Sequence, residues 1–249
     1  MQLQFLEDVI SGSKDLLAIP EAARDIHKNI VKILSQLERS GCSSCLDSEF
    51  KVNYFKILEL FEAYQNAVVA NSSYNISCKV GCSQCCFHWV EDVNSFEAQI
   101  ISEYVKKHYP ERIDNIISQC SEDIEVLGRI EELTIEKVKN FSDSMDVDHI
   151  DIALSAFYQM KRMCPLLSEK GVCTVYKVRP LTCRMYLSFH NPSFCNPDYQ
   201  SQEVVSNYLL NLDEDANSIL DRLHFRYQIF PDDSGLRSLL FKYLQKCAP

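Results

Sequence analysis

A run of four cysteines within nine residues limits what this chain can fold into more than any other feature. The stretch CKVGCSQCC contains Cys78, Cys82, Cys85 and Cys86, in a sequence with twelve cysteines. Metal–thiolate bonds are about 2.3 Å long, so ligands must converge on one point, and a short turn brings several together with little loss of chain entropy. Gly81 suits such a turn because glycine adopts positive φ without strain. The run indicates a metal or cluster site, with buried thiols packed as small hydrophobic side chains as the alternative.

A second set of cysteines follows later in the chain at wider spacings. Its members are separated by 8, 9 and 11 residues and are Cys164, Cys173, Cys183 and Cys195. These spacings alone carry little information. The Glu169-Lys170-Gly171 stretch predicts a tight turn that would place the first two of these thiols side by side. We therefore expect the second set to join the first around metal.

The charge around the cysteines is opposite in sign to that of the whole chain. The chain has 25 basic and 35 acidic residues, a net charge of −10, whereas residues 161–190 have six basic residues and one acidic residue, a net charge of +5. Four thiolates on a divalent ion leave a charge of about −2, and a buried anion requires nearby cations or amide donors. Arg179 and Arg184 are therefore candidates to bind cluster sulfurs or a substrate anion, and clamping of loop carbonyls is the alternative.

The scarcity of glycine excludes the common nucleotide sites. The chain has six glycines, and the closest two are 29 positions apart. A dinucleotide-binding fingerprint or a P-loop needs several glycines together so that backbone amides can approach phosphate. We therefore expect neither a standard Rossmann cofactor site nor a nucleoside triphosphate site.

Net charge and hydropathy argue against nucleic acid and membranes as partners. A chain of net charge −10 lacks the basic surface that binds phosphate backbones. It has no apolar run of 18 residues, and residues 1–8 lack the basic and apolar parts of a secretion signal. We expect a cytoplasmic protein with reduced thiols, in which clustered cysteines serve metal or redox chemistry. Its protein partner or substrate is not indicated.

Most of the sequence has the apolar periodicity of amphipathic helices, so the predicted fold class is mainly α. Asn94 and Glu97 occupy the positions of a capping box at the start of one helix. Pro20 suits the start of a helix, and Pro110 and Pro231 interrupt helical segments. The predicted helices cover residues 20–40, 48–70, 94–108, 111–141, 213–228 and 233–246.

The region that carries the second set of cysteines has a different texture. Its prolines and short apolar patches predict turns, a hairpin around residues 169–171 and a short helix over 178–186. We expect one mostly helical domain with an irregular cysteine-rich metal-binding lobe. In order, the predicted parts are an N-terminal helical segment (1–74), a cysteine-cluster metal-binding domain (75–196) and a C-terminal helical tail (197–249) on the same core.

The combined pattern resembles the YkgJ-type cysteine-cluster proteins, a family described as a zinc- or iron-chelating domain and related to a domain of flagellin lysine methylases. The resemblance covers about residues 75–196 and rests on Cys78-x3-Cys82-x2-Cys85-Cys86, Glu97, Cys164-Pro165-Leu166, Cys173, Tyr176, Arg179-Pro180, Cys183-Arg184 and Cys195. It implies metal or iron–sulphur binding through the eight cysteines. It also suggests Glu97 as a carboxylate beside the metal or an iron ligand, with helix capping as the alternative.

Two occupants compete for these thiols. Zinc would use the eight cysteines in two tetrahedral sites of four, whereas an iron–sulphur cluster also takes four thiolates and tolerates irregular spacings. Neighbouring side chains such as Cys85 and Cys86 point in different directions and do not easily share one small ion. A larger cluster, or two close sites, accommodates the pair better, so an iron–sulphur cluster is favoured over zinc. The Cys78–Cys85 spacing also equals that of radical S-adenosylmethionine enzymes, but this chain is predicted to be helical and has no Gly-Gly pair.

Three functions remain open at this stage. The first is a metal-binding protein whose site is structural or redox-active, the second a lysine N-methylase-like enzyme, and the third a protein that stores or delivers metal. His88 is a candidate ligand or hydrogen-bond donor, with packing beside Trp89 as the alternative. Cys42 and Cys45 form a CxxC pair that could be a metal half-site or two loop thiols, and Cys120 is expected in the core.

Overall fold

The computed structural model describes residues 19–71, 76–140, 148–188, 191–198, 207–231 and 235–246. The chain is mainly α, as predicted. Its α-helices are α1 (Glu21–Arg39), α2 (Ser48–Ala70), α3 (Ser95–His108), α4 (Ile113–Asn140), α5 (His149–Gln159), α6 (Thr182–Met185), α7 (Glu214–Tyr227) and α8 (Gly235–Gln245). Short 3-10 segments cover Pro110–Arg112, Tyr176–Val178 and Pro192–Cys195, and two strands are β1 (Tyr186–Ser188) and β2 (Asn207–Leu209).

Helices α1 and α2 pack against each other along apolar faces. In α1 the buried residues recur at intervals of three, four and seven, as the helical period requires. The longer α2 buries aromatic side chains, including Phe50, Tyr54 and Phe61. Phe50 and Tyr54 make edge-to-face contacts with Phe96 of α3, which carries the packing into the middle of the chain.

The capping box predicted at the start of α3 is present. The Glu97 side chain accepts a hydrogen bond from the Asn94 amide at 2.9 Å, and the Asn94 side chain bonds the amide of Glu97. The helix ends at His108, before Pro110, as expected from the absence of an amide hydrogen on proline. The Glu97 carboxylate also accepts a hydrogen bond from the segment that carries Cys183, so the cap connects α3 to the cysteine-bearing region.

The two C-terminal helices lie close to their predicted positions and pack onto the same core. Helix α7 contacts α1 and α3, and α8 contacts α3 and α4. One buried cluster joins residues from Ala23 to Leu244, including Leu166 and Leu187 of the cysteine-bearing region. The three segment boundaries expected from the sequence stay predictions. Residues 1–18, on which the expected absence of a secretion signal depends, lie outside the described part of the chain.

The short predicted helix over 178–186 is wrong in extent. Its first residue, Val178, ends a 3-10 turn, Arg179 is extended, and α-helix begins only at Thr182. Pro180 explains the break, because proline lacks an amide hydrogen and disfavours helical geometry in the preceding residue. Its last residue, Tyr186, begins β1, which pairs antiparallel with β2. The predicted hairpin near 169–171 is present as a Leu167–Cys173 bridge, with Gly171 at φ 71°.

The sequence patterns did not predict α5. This helix begins at the N-cap Asp148, whose side chain accepts a hydrogen bond from the Ile150 amide at 2.9 Å. It packs on α4, with Phe157 buried against Trp89. None of the helices in the described residues is long and apolar enough to cross a membrane.

Candidate metal centre

Consecutive turns fold the first cysteine run. The Cys82 amide donates to Lys79 O at 3.0 Å, and the Cys86 amide donates to Ser83 O at 3.0 Å. Gly81 has φ 90°, the conformation for which glycine was singled out. The run is therefore a tight loop whose four thiols are held within a few residues of each other.

A backbone hydrogen bond joins this loop to the second cysteine set. The Cys164 amide donates to Cys86 O at 2.8 Å, which places these two residues side by side. The hairpin then returns Cys173 opposite Leu167. Arg112 holds both arms of this hairpin, since its guanidinium donates to Leu167 O at 2.6 Å and to Thr174 Oγ1 at 3.2 Å. Two segments far apart in sequence are thus fastened together at their cysteines.

The other end of the loop contacts β1 and the segment that carries Cys195. The Ser188 amide donates to Cys78 Sγ at 3.2 Å. The Asn196 side chain donates to Gln84 Oε1 at 2.9 Å, and the Tyr158 hydroxyl of α5 donates to Cys195 O at 2.8 Å. These contacts link the first cysteine loop to the segments that carry Cys164, Cys173 and Cys195, whereas Cys183 lies in α6.

The thiols are chemically available for metal. The eleven cysteines in the described residues are all free, so none forms a disulfide there. Burial raises the pKa of both Cys78 and Cys173 to about 11. Cys85 behaves differently, because its hydrogen bond with the Cys86 thiol lowers the pKa of Cys85 and raises that of Cys86. Metal binding would displace the remaining protons, since the thiolate is the ligand.

Arginine side chains lie beside the thiols. The charge of Arg179 favours the thiolate forms of Cys85, Cys173 and Cys183. The Arg179 guanidinium stacks on Tyr176 at 4.2 Å, and its buried Nε has no hydrogen-bond partner among the described residues. A buried donor without a partner is costly, and an anionic metal–thiolate centre would supply an acceptor.

Arg184 and Glu97 are instead occupied by protein groups. Arg184 is 5% exposed and donates to the carbonyls of Tyr176, Lys177 and Arg179, the carbonyl-clamping alternative. Both carboxylate oxygens of Glu97 accept hydrogen bonds from protein donors. Those donors are the Tyr54 hydroxyl, the Leu181 amide, the Asn94 amide and the Asn94 side-chain amide.

Among the described residues, no three Cys, His, Asp or Glu side chains converge on one position that could hold a single ion. The donor chemistry nevertheless fits a metal–thiolate centre, because eight free thiols share a region with arginines and with one orphaned buried donor. Hydrogen bonds join the loops that carry them, and a bound centre would require the sulfur atoms to come closer together.

Residues 77–204 match a family model described as "CxxCxxCC: Putative zinc- or iron-chelating domain". The match spans half of the 249 residues and contains all eight cysteines described above. The chain belongs to this CxxCxxCC family. Neither a curated protein nor a solved structure matches the chain significantly. The description of this family points to chelation of zinc or iron.

An ion network that the sequence patterns did not predict reaches the CxxCxxCC segment from outside it. Arg237 of α8 is 1% exposed and donates to Asp123 Oδ2 of α4 at 2.8 Å. The same guanidinium donates to His88 O at 2.9 Å and to Arg162 O at 3.1 Å, each two residues from a cysteine. The sequence hints at this network only through an arginine within the apolar α8. The partners of Arg237 could not be predicted, because they are at least 75 positions away.

The remaining candidates outside this set of thiols take structural positions. His88 stacks on Tyr158 at 4.1 Å, and burial with the nearby Arg237 charge lowers its pKa to about 4. Packing is therefore the better interpretation of His88. Cys45 and Cys120 are fully buried in the core, which confirms the expectation for Cys120. Cys45 is fully buried whereas Cys42 is partly buried, and burial raises the pKa of Cys45 to about 12.

Proposed function

We propose that this protein binds iron or zinc through its eight clustered cysteines and that the centre locks two distant segments of the chain together. The observation that carries the proposal is the hydrogen bond between Cys164 N and Cys86 O, which fastens one cysteine set to the other. The thiols on both sides are free. Membership of the CxxCxxCC family supports metal chelation as the purpose of this arrangement.

The occupant that these side chains favour is an iron–sulphur cluster. Irregularly spaced thiols that include a vicinal pair suit a cluster, whose irons are spread over several ångströms. Arg179 is positively charged, and its buried Nε has no hydrogen-bond acceptor among the described residues. Both features suit an anionic centre. When bound, such a cluster supplies one-electron redox chemistry or a structural link. This chain's residues hold it through thiolates and offset its charge through Arg179.

Anaerobic purification of the full chain tests this proposal. We expect a brown protein with broad visible absorption that contains iron and acid-labile sulfide in equal amounts. Cys82→Ser and Cys183→Ser should each lower the metal content, whereas Cys42→Ser, outside the ligand set, should leave it unchanged. A colourless protein with bound zinc would overturn the cluster assignment. A protein that binds neither metal under these conditions would overturn metal binding itself.

The same preparation separates this function from the methylase-like and storage alternatives. Four thiolates per cluster leave no iron without a protein ligand, so adding S-adenosylmethionine to the reduced protein should not change its spectrum. A metal carrier needs exposed, labile thiolates. Cys78 and Cys85 are exposed, whereas the other six cysteines of the set are partly buried. We therefore expect slow transfer of metal to a competing chelator.

A further inference from the structure

We infer that Arg237 is a positioning residue, which reaches out from α8 and holds two cysteine-bearing segments in a fixed antiparallel register before any metal binds. The segments are residues 86–90, at the end of the first cysteine run, and residues 157–164, which lead to Cys164. Arg237 lies outside the family match at residues 77–204. The register is a property of the chain without metal, and its consequence for metal retention rests on the proposed function.

Contacts between the two segments run in opposite directions along them. The Cys164 amide donates to Cys86 O at 2.8 Å. Two residues further along the first segment, His88 stacks on Tyr158 with ring centroids 4.1 Å apart. The partner thus moves back along the second segment as the first advances. Among the described residues, the bond at the cysteines is the one backbone hydrogen bond that joins these segments directly.

The Arg237 guanidinium supplies a second link between the two backbones. Its Nη1 donates to His88 O at 2.9 Å, and its Nη2 donates to Arg162 O at 3.1 Å. The first carbonyl lies two residues after Cys86 and the second two residues before Cys164. The guanidinium therefore occupies the place of the next hydrogen-bonded pair in an antiparallel ladder. Because its fork is planar and rigid, it fixes the separation of the two carbonyls.

Surrounding groups hold the guanidinium in one orientation. Arg237 is almost fully buried, and its Nε donates to Asp123 Oδ2 at 2.8 Å. Arg162 closes a ring of contacts, because its side chain pairs with the other oxygen of Asp123 while its carbonyl accepts from Arg237. The rings of Trp89 and Phe157, one from each segment, have centroids 5.5 and 5.1 Å from the guanidinium carbon. All three guanidinium nitrogens thus have an acceptor.

The helix that carries Arg237 is itself attached to the first segment. The Leu236 amide donates to Val90 O at 2.7 Å, two residues beyond the carbonyl that Nη1 binds. Helix α8 also packs on α4, which carries Asp123. Arg237 therefore starts from a backbone position that is already set relative to both of its anchors.

This register places Cys86 beside Cys164 in the absence of metal. Part of the chain entropy that closing a loop around metal would cost is therefore already lost when the protein folds. Release of metal would also require the buried contacts of Arg237 to open or the two segments to stay together without it. We therefore expect metal retention to depend on a residue that is not itself a ligand.

Arg237→Lys tests the positioning role in the full chain. Lysine keeps a positive charge beside Asp123, so the helical fold should persist, but one ammonium cannot span both carbonyls as the fork does. Arg222→Lys is the matched control, because it makes the same change at an exposed arginine of α7 that pairs with Glu38. In the metal-free, reduced protein, the Cys164 amide should exchange about tenfold faster or more in Arg237→Lys and at the wild-type rate in the control. NMR hydrogen exchange measures both rates, and an unchanged Cys164 amide would overturn the inference.

Two further exchange measurements keep the test decisive. In the metal-free wild type, the Cys164 amide should be protected about a hundredfold or more relative to an unfolded chain. An unprotected amide would disprove the register whether or not a variant folds. Equal acceleration of the Cys164 amide and of the buried amides of α2 in Arg237→Lys would reduce Arg237 to a general stabiliser and would also defeat the inference.

Metal retention separates positioning from overall stability. Anaerobically purified Arg237→Lys should release its iron or zinc to excess chelator about tenfold faster or more than the wild type. Leu34→Ala is the stability control, because it removes buried apolar atoms from α1, which packs against α2 and α7. It should lower the melting temperature at least as much and yet release metal at the wild-type rate. Equal release from the two variants, or wild-type release from Arg237→Lys, would overturn the inference. A wild type without metal would instead defeat the proposed function, and exchange of the Cys164 amide would still decide the register.

Discussion

Glu97 shows how a single residue links the helical core to the cysteines. Its place in a capping box could be predicted from sequence, because both partners lie within four positions. Its bond to the Leu181 amide, 84 positions away, could not, because the sequence does not show which loop returns to the helix. Glu97 is 1% exposed, so water cannot replace its carboxylate as the acceptor for these donors. Residue type and local spacing revealed the cap and left the link to α6 hidden.

Glu97→Gln should destabilise the metal-loaded protein by about 2 kcal/mol. The amide group presents hydrogens where the carboxylate accepts, so buried donors lose their partner, and hydrogen bonds to charged groups contribute about 1.5–3 kcal/mol. Urea unfolding measures the change. Glu103→Gln is the control, because Glu103 is a half-exposed partner of Lys51 and should change stability by less than about 1 kcal/mol. Equal effects of the two substitutions would contradict the assigned role.

Asp123→Asn should have a larger effect. Asp123 is fully buried and pairs with Arg162 and Arg237, of which Arg237 is itself buried. Removing one partner of a buried pair leaves an uncompensated charge and costs about 3–5 kcal/mol. Glu122→Gln is the matched control, since this exposed neighbour pairs with the same Arg162 and should contribute at most about 1 kcal/mol. Thermal unfolding that fails to distinguish the two variants would rule out a buried ionic anchor.

Elements with a sustained apolar period were predicted from the sequence, and elements that depend on distant partners were not. In helices α1, α2, α3 and α8 the apolar residues recur at the helical spacing, so the sequence of each helix predicts which face is buried. Strand β1 exists because Tyr186 pairs with Leu209, which lies 23 positions away. Only three residues long, it carries no period that could be recognised locally. For the same reason the cysteines were recognised as a group, whereas the hydrogen bond from the Cys164 amide to Cys86 O required the fold.

The glycine that begins α8 controls how that helix meets the CxxCxxCC segment. Gly235 has φ 78°, and a Cβ there would lie 2.7 Å from Trp89 Nε1 and 3.0 Å from Val90 O. The next amide, of Leu236, donates to Val90 O at 2.7 Å. The close approach of α8 to the end of the first cysteine loop therefore requires a residue without a side chain.

Gly235→Ala should destabilise the protein by about 1–3 kcal/mol, because it adds both a steric clash and left-handed strain. Gly128→Ala is the opposite control. Gly128 lies inside α4, and a Cβ added there would meet no neighbouring atom within 4 Å, so alanine should stabilise the helix by about 1 kcal/mol. Chemical denaturation of both variants checks the signs. A stabilising Gly235→Ala would show that α8 can approach the loop differently.

At the scale of the whole molecule, helices from before, within and after the family match share one buried cluster. The cysteine-bearing loops contribute few residues to it, chiefly Leu166, Val175, Leu181 and Leu187. The first cysteine loop is more exposed, and Val80 at its tip is 68% exposed. The cysteine-bearing loops are held by turns and individual hydrogen bonds, whereas each helix has a continuous series of backbone hydrogen bonds. Metal is therefore expected to contribute most to their order and least to that of the helical core.

Removal of metal should expose the cysteine loops before the helices. Under reducing conditions a strong chelator should speed amide exchange about tenfold or more over residues 78–88, because the thiolate bonds that constrain this loop disappear. Residues 165–181 should change less, since Leu166 and Val175 remain anchored in the core. Helix α2 serves as the internal reference, because it packs mainly against α1. Hydrogen exchange followed by mass spectrometry resolves these segments. Equal acceleration in α2 and in the first cysteine loop would mean that metal supports the entire fold, and unchanged exchange in the loop would mean that its turns need no metal.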